Sequence, residues 1–145
     1  MKRDGDAVAL AGTWRLLSFH LESSDGETTY PYGPDAAGYI LISDSGYMAV
    51  AFMAGHRGRF ASADLRGGSI DEKAAAADSY TGYIGKWEVQ GDRLVVHPEV
   101  SFFPNWVGVD QVRTWTFEGN RLTLSTPPLL IGGLQQVAYL VWERV

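Results

Sequence analysis

Apolar and polar residues alternate with a period of two along most of this chain, in short runs separated by turn residues. The first run covers residues 13–22, and Ser23-Ser24-Asp25-Gly26 ends it with the strong Asp-Gly turn pair. Residues 27–30 continue after that turn, up to Pro31-Tyr32-Gly33-Pro34-Asp35, which cannot sit in a central strand. Runs 38–42 and 46–53 are joined by Ser43-Asp44-Ser45 as a hairpin. Four more runs follow at 82–90, 93–100, 109–118 and 121–125, with Gly91-Asp92 and Gly119-Asn120 as tight turns. Thr126-Pro127-Pro128 stops a strand, 129–134 reads as an apolar connector, and 136–144 is the final strand.

The period changes only once. From 54 to 68 the pattern dissolves into Gly, Arg, His and Ala, and then Ser69-Ile70-Asp71-Glu72 spells a capping box. Four consecutive alanines follow, the best helix formers available, so one helix is expected over 70–80. It should cover an end or flank of the sheet, its alanines allowing close approach. Eight strands, or nine, with one short helix make an all-β chain. Their near-regular spacing favours an antiparallel up-and-down barrel over a sandwich. Gly12-Thr13-Trp14 opens the first strand, and Trp142-Glu143-Arg144-Val145 closes the last. Pairing those two strands would abolish the sheet edges, with the Trp14 indole at the floor covered by the Arg144 guanidinium.

Composition narrows the function. A chain of 145 residues is expected to form one domain over 1–145, burying about two-thirds of the surface of its unfolded form. Five Trp, seven Tyr and six Phe suit an aromatic core or a lined pocket. A net charge of −5 with scattered basic residues leaves no footprint for nucleic acid or an anionic membrane. The absence of cysteine excludes a disulfide scaffold, thiolate catalysis and Cys-based metal sites. The apolar stretch 7–11 is too short for a leader, and no run approaches the ~18 apolar residues of a spanning helix. A cytoplasmic protein, monomeric or homodimeric, is therefore expected.

Five segments together, namely Gly12-Thr13-Trp14-Arg15-Leu16, Tyr30-Pro31-Tyr32-Gly33, Gly46-Tyr47-Met48, Phe102-Phe103-Pro104-Asn105-Trp106-Val107-Gly108 and Val141-Trp142-Glu143-Arg144, resemble the bacterial and fungal lipocalin-like domain family. The resemblance runs from about residue 10 to the end. It implies an eight-stranded lipocalin-like barrel with an internal cavity. It further implies kinship with proteins of natural-product pathways, some binding polyketide-like intermediates and a few acting as cyclases or isomerases. No universal catalytic motif comes with it, so it informs the fold more than the function.

Alternation sorts candidate site residues by face. Trp14, Leu16, Ser18 and His20 share one; with Trp14 at the floor, His20 would sit at the rim. His97 shares a face with Val95 and Glu99, while Gln111 and Arg113 share one with Trp115 on the next strand. His97, Glu99, Gln111 and Arg113 therefore form a polar cluster, either in the lumen or on the outer wall; Leu94, Val96, Val112 and Thr114 would serve equally as the core face. A lumenal Arg113 cannot lose its proton and needs a carboxylate such as Glu99, or an anionic or carbonyl-bearing ligand. Tyr39 and Tyr47 offer phenols for a ligand carbonyl or for a structural hydrogen bond. Trp106 belongs to an aromatic loop that either plugs the barrel or walls its cavity. Arg57 and Arg59 read as solvated rim charges. The three histidines lack metal-ligand spacing and no nucleophile elbow exists, so neither metal nor cofactor is expected. The leading function is binding of a small hydrophobic or amphipathic molecule near His97, Arg113, Gln111, Tyr39, Tyr47, Trp106 and His20. The alternatives are a cofactor-independent cyclase or isomerase using His97, Arg113 or a tyrosine, and an accessory module with a filled interior.

Overall fold

The computed structural model describes residues 9–145. The expectation that residues 1–11 hold no leader therefore falls, up to residue 8, outside the described residues. No described helix is long and apolar enough to cross a membrane.

Eight strands close a ring: β1 (Gly12–Ser23), β3 (Ala37–Ile42), β4 (Tyr47–Met53), β5 (Tyr80–Gln90), β6 (Arg93–Ser101), β7 (Gln111–Glu118), β8 (Arg121–Ser125) and β10 (Leu134–Arg144). Each pairs antiparallel with its neighbour in that order, and β10 returns to pair with β1. Two short strands hang on the seam, β2 (Thr28–Thr29) on β1 and β9 (Leu129–Ile131) on β10. The apolar connector expected at 129–134 thus contributes a strand, held by Gln136 Nε2 donating to the Ile131 carbonyl at 3.0 Å.

Closure rests on the chain ends. Trp14 pairs with Arg144 across the seam, and the guanidinium lies 4.1 Å from the indole centroid. Arg144 also donates to the carbonyls of Ala11 and Ala9, and Trp14 Nε1 donates to the Leu10 carbonyl at 3.0 Å. Gly12 makes room for this: its φ is +141°, and a Cβ there would stand 2.6 Å from Arg144 Nη1. Leu10, Trp14, Trp115, Leu122 and Trp142 fill that end of the barrel, each almost wholly buried.

Two bulges set which residues face in. On β1 the register jumps between Leu16 and Ser18, so Leu17 is the extra residue and the inward set changes from Trp14 and Leu16 to Phe19 and Leu21. On β6 the pairing jumps from Val100 to Pro98, which leaves Glu99 as the extra, exposed residue. Opposite it, a Cβ on Gly85 would lie 2.0 Å from the His97 carbonyl oxygen, so only glycine fits.

The helix α1 (Ile70–Asp78) forms where the capping box places it. Ser69 Oγ accepts from Glu72 N–H at 3.1 Å, and Glu72 Oε1 accepts from Ser69 N–H at 2.9 Å. It buries none of its residues, so the close alanine packing expected against the sheet does not occur. Instead Arg57 anchors its far end, donating to the Ala76 carbonyl and to Ser79 Oγ at 3.0 and 3.1 Å. A loop cation thereby opposes the negative end of a helix that has no basic residue in its last turn. Arg57 is exposed, as a rim charge should be, and is also tied to the helix.

Candidate ligand-binding cavity

Above the filled end, the barrel holds a cavity of about 680 Å³ that opens at the opposite rim. Phe19 and Leu21 of β1, Phe52 of β4 and Ala138 and Leu140 of β10 form one side of its wall, because each lies at an inward position of its strand. Tyr83 of β5 and the loop Phe102–Trp106 form another side; Trp106 stacks edge-on against Tyr83 at 5.7 Å and against Phe103 at 5.4 Å. The aromatic loop therefore walls the cavity and leaves it open. Pro31, β9 and the end of α1 at Ala77 and Asp78 surround the mouth.

Polar groups in this lining are few. Tyr32 shares a 2.6 Å hydrogen bond with Thr81, and burial pushes its hydroxyl above the usual phenol value, which keeps it neutral. Thr126 Oγ1 accepts from the Ala138 N–H at 2.9 Å. Arg113 is the one cation among the described residues of the lining. The residue is 7% exposed, with Nη1 donating to the Val112 carbonyl at 2.8 Å and Nη2 to Gln111 Oε1 at 3.3 Å. Gln111 is buried beside it and oriented by its own bond from Nε2 to the Val109 carbonyl at 3.1 Å.

The seven expected site residues divide between the two sides of the wall. Arg113 and Trp106 line the cavity, and Gln111 braces Arg113. His97 does not join them. Arg113 pairs with Leu94 and Gln111 with Val96, so the inward residues of β6 are Leu94 and Val96, with buried Pro98 following in alternation. His97 points outward between Glu88 Oε1 at 2.8 Å and Asp110 Oδ1 at 2.6 Å. Those two carboxylates hold its imidazole above the ordinary histidine pKa, Glu88 most strongly. His20 is also outside, because the Leu17 bulge reverses the phase of β1; it stacks on Tyr139 at 5.0 Å and bonds Glu22 at 3.3 Å. Tyr39 and Tyr47 are exposed on the outer wall, since Ile40, Ile42, Met48 and Val50 take the inward positions of their hairpin. The expected polar cluster of His97, Glu99, Gln111 and Arg113 is thus corrected to Gln111 and Arg113 alone.

Phe19, Tyr32, Phe52, Tyr83 and Leu140 were not anticipated as lining. The signal for Phe19 was present: Trp14, Leu16, Phe19 and Leu21 keep a period of two once one residue is skipped. No group of His, Asp and Glu suited to a metal ion occurs among the described residues.

The family model of the lipocalin-like domain matches residues 11–145. This chain belongs to that family. It is 36% identical, over 87 residues, to the 4'-hydroxy-3'-methoxypropiophenone carrier protein ppsC of Aspergillus oryzae, covering 54% of this chain and 78% of the relative. Among solved structures it is similar to a lipocalin-like protein from Bacteroides uniformis, at 13% identity and a TM-score of 0.48, over 94% of this chain and 98% of that one.

Proposed function

We propose that this protein is a single-domain carrier that binds one small hydrophobic or amphipathic molecule, such as a natural-product intermediate, inside its barrel. The carrying observation is the cavity: about 680 Å³, aromatic-walled, filled below and open above, within the size range of small-molecule sites. The family relationship to a protein named as the carrier of an aryl ketone supports the same reading. Edge-on rings at Tyr83, Trp106 and Phe103 suit an aromatic occupant. The cyclase or isomerase alternative asks for a group that moves a proton beside the substrate. His97 and His20 lie outside the barrel, and Asp78, the one carboxylate among the described residues of the lining, stands at the mouth on an exposed helix. Carriage is therefore preferred over catalysis.

The test is titration with N-phenylnaphthylamine, a neutral fluorophore that brightens on entering apolar surroundings. Saturable binding of one probe per chain is expected. Ala138→Phe, which places a ring in the cavity from a lining position, should weaken it at least about tenfold while leaving circular dichroism unchanged. Absence of saturable binding, or equal affinity in the variant, would remove this reading.

A further inference from the structure

We infer that the cavity selects an occupant bearing a carboxylate or comparable oxyanion, which Arg113 holds while the apolar body rests against the aromatic wall. The inference rests on the carrier reading and sharpens it to a ligand class.

Arg113 carries a charge that it cannot shed. It is buried in a lining that is otherwise almost wholly neutral. No carboxylate of the described residues lies within ion-pair distance of it. Glu99, the counter-ion that the sequence would supply, is the extra residue of the β6 bulge and is exposed. Among the described residues, two of the five guanidinium N–H groups have an acceptor, both of them uncharged oxygens. A buried cation without a counter-ion costs free energy in the empty barrel, and an anion that enters removes that cost. A neutral carbonyl oxygen would satisfy an N–H but leave the charge uncompensated, so the anion is favoured over it.

Position supports the assignment as well. Gln111 is fixed by Val109 and in turn fixes Arg113, so the guanidinium is held in place before any ligand arrives. Tyr32, the other polar group of note, is already engaged with Thr81. Acid-first entry would leave the ring portion beside Tyr83, Trp106 and Phe52, all of which line the same space.

The experiment displaces bound N-phenylnaphthylamine at neutral pH with naphthylacetic acid and with naphthylethanol, which share a skeleton and differ in charge. The acid should be at least about tenfold more potent in the wild type. Arg113→Met should erase that difference, with the probe's own affinity measured in each protein so that the acid-to-alcohol ratio is compared within it, and Arg113→Lys, which keeps the charge, should preserve most of it. Equal potency of acid and alcohol against a bound probe would overturn the inference and leave the carrier reading standing. A preference that survives Arg113→Met would overturn it too, by placing the anion elsewhere. Failure of the probe to bind the wild type removes both. The wild-type comparison needs no variant, so a misfolded substitution does not shield the inference.

Discussion

Trp14 and Arg144 join the two ends of the chain through one stacked contact, and each is also bonded to the short stretch that precedes β1. Removing the indole deletes a large, almost fully buried ring from the filled end of the barrel. Trp14→Ala should therefore cost about 3–5 kcal/mol in chemical denaturation. Arg144→Met keeps aliphatic cover over the indole but loses the cation–π contact and two backbone acceptors, and a smaller loss is expected. Equal losses from the two would mean that the guanidinium, rather than the buried ring, governs this end. Single residues also decide what the sequence can reveal. Leu17 is one more residue in an apolar run, yet as the bulge it reverses every position after it and carries His20 outside. Strict alternation has no way to register such an insertion in advance.

Elements were legible where their signals were local. The Ser69 and Glu72 capping box forms as spelled, and strand boundaries follow their turn residues to within a few positions. Facing was legible only where one side of a strand was clearly polar. On β3 and β4 both sides are apolar, with Tyr39, Leu41 and Tyr47 outside and Ile40, Ile42 and Met48 inside, so the phenols could not be placed from the pattern. On β6 the run Leu94-Val95-Val96 is buried throughout, which hides the phase that puts His97 outside. The helix α1 owes its position to polar ties, since none of its residues is buried. Glu72 serves both the cap and the Ala61 N–H, and Arg57 holds the other end. Ser69→Ala should thus lower local helix stability by about 0.5–2 kcal/mol. Hydrogen exchange should quicken at the amides of α1 while those of the barrel strands keep their protection. Loss of protection in β5 as well would show the helix to be part of the barrel's cooperative unit.

At the scale of the whole molecule, the barrel separates two charged sites by the thickness of one wall. Arg113 lies within, and His97 ties three consecutive parts of the ring together from outside: Glu88 on β5, itself on β6 and Asp110 ahead of β7. Both ring nitrogens face carboxylate oxygens, so both bonds are fully made only when the imidazole is protonated. The folded state raises the His97 pKa above its ordinary value, chiefly through the bond to Glu88. A raised pKa means that the folded protein holds this proton more tightly than the unfolded chain. Its stabilisation is complete below about pH 6.5, the unfolded value, and fades as pH climbs through the higher folded value. The imidazole is 40% exposed, so the effect is screened and should shrink further in high salt. Urea denaturation of the wild type and His97→Asn, run at about pH 6 and again well above the folded pKa, should show a stability gap at the lower pH that closes at the higher. Affinity for a neutral probe should not change between the two proteins at either pH, because the titrating group faces solvent across the wall from the cavity. A gap that persists unchanged at high pH would mean that His97 acts by packing rather than by charge. A change in probe affinity would mean that the outer carboxylate bridge is coupled to the lumen.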